Sequence, residues 1–103
     1  MNESNPLMCP AVATLRLFNG KWKPMVLHRL SQESARFGEL KRSLMPISHK
    51  VLTQQLRELE SDGLVSRVVS DGPVVTVTYS LSVKGDSLAV VLGHLYAWGE
   101  AHL

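Results

Sequence analysis

Cysteine is nearly absent: Cys9 is the single one in 103 residues, so an intramolecular disulfide framework is excluded and a reducing compartment is expected. Long apolar runs are missing as well. None approaches the roughly 18 residues that a membrane-crossing helix needs. Met1–Met8 carries neither the basic patch nor the apolar stretch of a secretory signal. A cytoplasmic protein without membrane contact is the expectation. Signatures of catalysis are also lacking, with no glycine-rich phosphate loop and no nucleophile elbow. His28, His49, His94 and His102 stand in none of the spacings that build a metal site. These absences argue against an enzyme, a metal and a cofactor.

What is present fits one small folded domain. Apolar residues make up 45% of the chain, enough for a single core and too many for a disordered protein. Residues 1–8 read as a flexible N-terminus and residues 9–103 as one domain without an internal repeat or linker. The net charge is +2 and the isoelectric point near 8.9, a weak sign of an acidic partner. Its distribution says more. Arg36, Lys41, Arg42, Lys50 and Arg57 share a segment with one acid, Glu39, giving it +4 and leaving −2 for the rest. Phosphate binding needs such a local basic surface, although a solvated helix face accounts for the same charges.

Turn and cap residues divide the chain into elements. A first helix is predicted from Pro10 through Ala11, Leu15 and Phe18 to a stop at Asn19-Gly20. A second starts at Pro24 and frays at Ser31-Gln32, and a third covers Phe37 to Leu44 before Pro46. Ser48 then caps a helix from His49 to about Ser61, closed by Asp62-Gly63. Two β-branched runs, Leu64 to Val69 and Val74 to Leu81, form a hairpin around Ser70-Asp71-Gly72-Pro73, with Pro73 requiring a loop longer than two residues. Ser82 caps a last helix from about Val83 to Ala101. The order predicts an α+β, mainly α fold: a winged helix-turn-helix with a β-hairpin wing and N- and C-terminal dimerisation helices.

The helix from His49 to Ser61 carries the sharpest functional signal. Leu52, Leu56 and Leu59 lie within about 60° of one another at 100° per residue, while Lys50, Thr53, Gln54 and Arg57 spread over about 100° on the opposite side. That outward face holds long donors and a small hydroxyl, without an acid among them. Arg or Lys pairs with the O6/N7 edge of guanine, Gln with the N6/N7 edge of adenine, and Thr touches the thymine methyl. Ser48 and His49 occupy the helix N-terminus, where recognition helices approach bases or phosphates. Lys41 and Arg42 would lie near the DNA backbone, and the wing would bring Arg67 towards the flanking minor groove or backbone. Asp71 at the wing tip opposes phosphate, so the wing is expected to add less affinity than the helix. Any amphipathic helix has a polar face, and a purely structural hairpin explains the wing equally well. The ordered combination is the specific signal.

The last helix is apolar on more than one side. Leu88, Leu92, Leu95 and Gly99 form its main stripe, Val91 and Trp98 flank it, and Val90, Gly93 and Ala97 lie behind. The surplus points to a second subunit, with Val12, Leu15 and Phe18 of the first helix as counterpart. A two-fold dimer reads two half-sites roughly 34 Å apart. Trp22 and Trp98 fit a core or an interface, while His28 and His94 fit helix surfaces. Cys9 precedes Pro10 at a helix start, where the positive dipole end favours a thiolate. It reads either as a regulatory redox or electrophile sensor or as a small, partly buried apolar residue.

The strings Cys9-Pro10, Gly20-Lys21-Trp22, Arg36-Phe37-Gly38-Glu39-Leu40, Ile47-Ser48 and Lys50-Val51-Leu52-Thr53-Gln54 resemble the HxlR family, a branch of the MarR-like winged-helix regulators. Leu56-Arg57-Glu58-Leu59-Glu60, Asp62-Gly63-Leu64-Val65, Tyr79-Ser80-Leu81 and Ala97-Trp98-Gly99 continue the match through nearly the whole chain. The resemblance implies a homodimeric regulator of transcription, more often a repressor, that binds double-stranded DNA and lacks enzymatic activity. In some members the cysteine matching Cys9 senses oxidants, quinones or aldehydes. The chain departs from the family pattern at His49, where proline is usual, at Gln55, often basic, and at Thr78, often acidic. Three readings stay open: a DNA-binding regulator switched at Cys9, one controlled by a small-molecule or electrophile inducer, and a winged-helix protein-interaction module.

Overall fold

Proline or serine marks the start of three helices. In the computed structural model, which describes residues 9–18 and 20–103, α1 spans Pro10–Arg16 with proline in its first turn. The expected flexible N-terminus, residues 1–8, and Asn19 of the expected stop signal lie outside the described residues. Helix α1 ends before Phe18 because the Leu17 and Phe18 amides turn back to the Thr14 and Leu15 carbonyls at 3.0 and 3.1 Å, tightening the last turn. None of its residues is buried.

Helix α2 runs Trp22–Gln32 and buries Val26, Leu27 and Leu30. It begins two residues ahead of the predicted start. Pro24 still falls in the first turn, where a missing N–H leaves no intrahelical acceptor unpaired. A two-residue strand that sequence reading did not foresee, β1 (Ala35–Arg36), leads into α3 (Phe37–Ser43). The Glu39 carboxylate accepts from the Arg36 amide at 2.9 Å and fixes that start. Ile47 is buried and its amide donates to the Leu44 carbonyl at 3.0 Å, closing the turn into α4 (His49–Ser61).

Helix α4 has both ends satisfied. The Ser48 hydroxyl accepts from the Val51 amide at 3.1 Å. At the other end Gly63 takes φ +74, the Gly63 amide donates to the Glu60 carbonyl and the Leu64 amide to the Leu59 carbonyl, both at 2.9 Å. Glycine suits that left-handed position because it has no Cβ to clash. The chain is thus reversed into β2 (Val65–Val69), which pairs antiparallel with β3 (Val77–Leu81). The sheet order is β1-β3-β2, with Ala35 opposite Tyr79 and Val65 opposite Leu81. Strand β3 begins later than predicted. The Ser70 hydroxyl bonds the Val74 carbonyl and the Thr76 amide, and Pro73 has no N–H to donate, so the tip curls away from the ladder.

The core collects Leu27 and Val26 from α2, Leu40 and Leu44 around α3, and Leu52, Leu56 and Leu59 from α4. Leu64 joins from the α4–β2 junction, and Leu88 and Leu92 from α5 (Val83–His102). The three α4 leucines are at most 2% exposed, and each contributes roughly 1.5–3 kcal/mol of apolar burial. The expected main stripe of α5 is shorter than read: Leu88 and Leu92 are buried, whereas Leu95 is exposed. No helix among the described residues is long and apolar enough to cross a membrane.

The start of α5 is clamped to the end of α4. The Ser82 hydroxyl donates to the Gly63 carbonyl at 2.6 Å and accepts from the Gly85 amide at 2.9 Å, while the Lys84 ammonium reaches the Asp62 carbonyl at 2.8 Å. Gly85 is buried, and a Cβ there would overlap the Leu64 carbonyl. Gly85→Ala is therefore expected to lower the stability by about 1–3 kcal/mol, read from the urea unfolding midpoint. An unchanged midpoint would show that α5 is free to shift off Leu64.

Candidate nucleic-acid interface

The leucine stripe of α4 decides which side of the helix is left for a ligand. With Leu52, Leu56 and Leu59 in the core, His49, Lys50, Thr53, Gln54 and Arg57 come together around one shallow surface hollow. Lys50 and Arg57 are exposed and have no carboxylate within salt-bridge distance among the described residues. Ser48 is exposed one residue before the helix, with its hydroxyl oxygen bound to the Val51 amide and its proton free to donate. Thr53 donates to the His49 carbonyl at 2.8 Å, leaving its methyl and an acceptor lone pair for a partner. The His49 ring sits 4.6 Å from that of Phe37, which packs against the core, so the helix start is steadied by α3.

Other predicted residues lie apart from this hollow. Arg42 borders a separate polar hollow with Arg36 of β1 and Glu39 of α3, and Lys41 beside it is half-buried. Arg67 is not at the wing tip. It lies within β2, its Nε 3.6 Å from the Glu60 carboxylate, in a cleft between α4 and the wing lined also by Thr53, Arg57 and Tyr79. Burial pushes the Tyr79 hydroxyl above its ordinary value of 10.0 and the Glu60 charge adds to this, opposed by Arg67 and Arg57. The wing tip offers valine rather than cation, with Val74 and Val75 both exposed.

Sequence reading missed the ion pair that fixes the helix. Lys23 on α2, only 6% exposed, donates to the Glu58 carboxylate of α4 at 2.8 Å. The residues are 35 positions apart, so no local spacing connects them. Long stems let lysine bury its methylenes and deliver the ammonium to an edge, as here. The hydrogen bond from Lys23 and then its charge hold the Glu58 carboxyl below the ordinary 4.5; partial desolvation opposes them and Gln54 adds a smaller lowering.

The surfaces expected to face a second subunit are largely free. Leu15 is 61% exposed, Val90 63% and Trp98 58%; Val91 is also exposed and Val12 is half-buried. Phe18 differs: it packs against the protomer's own core, because the chain leaves α1 before reaching it. Trp22 likewise packs against the core, with the Lys21 ammonium 4.7 Å over its ring. Trp98 stacks on His102, and His28 is not a bare surface residue, since its ring stacks on Tyr96. Cys9 is half-buried immediately ahead of α1, where its carbonyl accepts from the Ala13 amide at 3.0 Å.

Residues 17–103 match the sequence profile of a family described as HxlR-like helix-turn-helix. The HTH-type transcriptional regulator YtcD of Bacillus subtilis (strain 168) is 46% identical over 91 residues, which is 88% of this chain and 72% of that protein. Among solved structures, the redox regulator HypR in its oxidised form superposes with a TM-score of 0.84 at 37% identity, covering 92% of this chain and 98% of that one. A transcriptional regulator of the MarR family from Enterococcus faecalis V583 also gives 0.84 at 37% identity, covering 97% and 91%.

The Lys23–Glu58 pair makes the seating of α4 sensitive to acid. A carboxyl lowered by folding adds stability above its unfolded value, about 4.5, and that stability is lost as pH falls through the lower folded value. The parent is expected to melt above Glu58→Gln at neutral pH, with the gap closing below pH 4.5. A gap that stays constant from neutral to strongly acidic solution would show that Glu58 acts by packing and not by charge.

Proposed function

The chain belongs to the HxlR-like helix-turn-helix family, and on that premise we propose that it is a transcriptional regulator that binds duplex DNA as a homodimer. The observation that carries the reading is the division of α4 into a locked leucine face and an open face of His49, Lys50, Thr53, Gln54 and Arg57. Inserted in the major groove, that face presents donors to guanine and adenine edges. Ser48 lies at the phosphate-facing end, and Lys41, Arg42 and Arg67 supply backbone contacts. The exposed faces of α1 and α5 supply the dimer, whose two α4 helices read a pseudo-palindromic operator. Residues 9–103 act as one unit in this scheme. Repression is the proposed sign, the one that the family resemblance favours.

Control through Cys9 is the second reading, favoured by the likeness to a protein named as a redox regulator and solved in an oxidised form. With one cysteine per chain, its thiol is oxidised against the Cys9 thiol of a second subunit or against a small free thiol. Either route joins two sulfurs and transfers two electrons and two protons to an oxidant such as diamide.

Two measurements check these readings. Arg57→Ala is expected to weaken operator binding by about 1–3 kcal/mol in gel-shift titrations, while parent binding falls with salt at a log–log slope of about −0.9 per neutralised phosphate. Equal binding by parent and variant removes Arg57 from the reading face, and a flat salt response favours a protein-interaction module. Diamide is expected to lower the DNA affinity of the parent and to leave Cys9→Ser unchanged. An equal response in both proteins would end the role of Cys9.

A further inference from the structure

The α4 hollow continues beyond the helix. Thr53 and Arg57 line it and also line a cleft of about 260 Å³ between α4 and the wing. Arg67 and Tyr79 border that cleft from the wing, and Glu60 from the end of α4. Arg67 and Tyr79 are opposite one another in the β2–β3 ladder, so both side chains stand on one face of the sheet. Glu60 follows Arg57 by three residues, which makes the two neighbours on the α4 surface. Two guanidiniums and one carboxylate thus share the cleft, leaving one positive charge in excess. Burial keeps the proton on the Tyr79 hydroxyl, which is therefore a neutral donor at neutral pH.

We infer that Glu60 sets the affinity of the protein for duplex DNA, as a counter-ion that a backbone phosphate displaces from Arg67. This role rests on the DNA-binding reading and adds to it an acid placed in the path of the phosphates. The pair is built for exchange. Arg67 Nε lies 3.6 Å from Glu60 Oε1, longer than a hydrogen bond, and the Arg67 side chain is 55% exposed against 29% for Glu60. So solvated a pair adds little to stability, and the guanidinium is free to turn away. The acid is not. Glu60 rides on a helix whose Leu56 and Leu59 are in the core, so it stays in the cleft when Arg67 leaves.

A phosphodiester entering the cleft takes Arg57 and Arg67 as charged donors and Tyr79 as a neutral one. It does so beside the Glu60 carboxylate and only once the Arg67–Glu60 pair has parted. Both costs fall on every sequence alike, because a phosphate carries no base identity. Glu60 therefore holds down sequence-independent binding, which otherwise rises with each phosphate neutralised. Neighbouring acids do not share the position: Glu58 is engaged by Lys23, Glu39 accepts from the Arg36 amide and Asp71 lies at the wing tip.

Gel-shift titrations of the full chain, with operator and with a random duplex of equal length at several salt concentrations, test this role. Glu60→Gln keeps the shape of the side chain and removes its charge. It is expected to bind both duplexes about fivefold more tightly, the strength of one close pair of unit charges in water. Its log–log salt slope is expected to steepen by about 0.9, as one further phosphate is neutralised. Arg67→Gln should weaken binding to both duplexes, since it leaves the acid unpaired. In that background the gain from Glu60→Gln should shrink, because no ion pair has to part. Glu33→Gln changes the net charge equally but lies outside the cleft, and should bind as the parent does. Circular dichroism checks that each variant is folded. Equal or weaker binding by Glu60→Gln, a gain confined to operator, or a gain undiminished in the Arg67→Gln background would each overturn this role. An equal gain from Glu33→Gln would do so too. A parent that binds neither duplex would bring down the DNA-binding reading and this role with it, whereas a parent that binds without the Glu60 response loses the counter-ion alone.

Discussion

Leu52, Leu56 and Leu59 seat α4 in the core, and the rest of the molecule takes its position from that seat. Three buried leucines on one stripe fix the rotation of the helix about its axis, since turning it by one residue would expose at least one of them. Rotation fixed, the polar face can point only outward. The Ser48 cap and the Gly63 reversal set where the helix begins and ends, and Lys23 ties its flank to α2. The wing follows from the same seat, because Leu64, the next residue after the reversal, is itself buried and launches β2 from the core.

Much of this was legible because the decisive signals are local. The leucine spacing, the Ser48 cap and Asp62-Gly63 all fall within 16 residues, and the structure uses each as read. The Ser82 start of α5 is equally local. What escaped is what depends on partners far along the chain. Strand β1 has two residues and exists through its pairing with Tyr79 and Thr78. Lys23 gives no hint of Glu58, and Gly85 looks like any helical glycine until Leu64 is placed against it. The contact of Arg67 with Glu60 was not legible either, because it joins the wing to α4 through the way the two elements pack. The end of the α5 stripe at Leu92 was hidden for a related reason: periodicity shows a face, not how far the core extends beneath it.

The α4 face and the candidate control point belong to different elements. Cys9 lies ahead of α1. It does not adjoin the side chains proposed to read bases, so an input there must act through the placement of whole helices. The α1 and α5 faces are the connection if the subunits pair there. A rigidly seated recognition helix suits this arrangement, because a small change in subunit geometry moves both reading faces as units.

The central claim is that two copies of α4 lie in successive major grooves. Methylation interference on operator DNA tests it most directly, since dimethyl sulfate modifies guanine N7 in the major groove, the edge that Lys50 and Arg57 are placed to contact. The account predicts two clusters of interfering guanines, about one helical turn apart and related by the two-fold axis of the site. Interference confined to minor-groove adenine N3, or a single cluster without a symmetric mate, would contradict it.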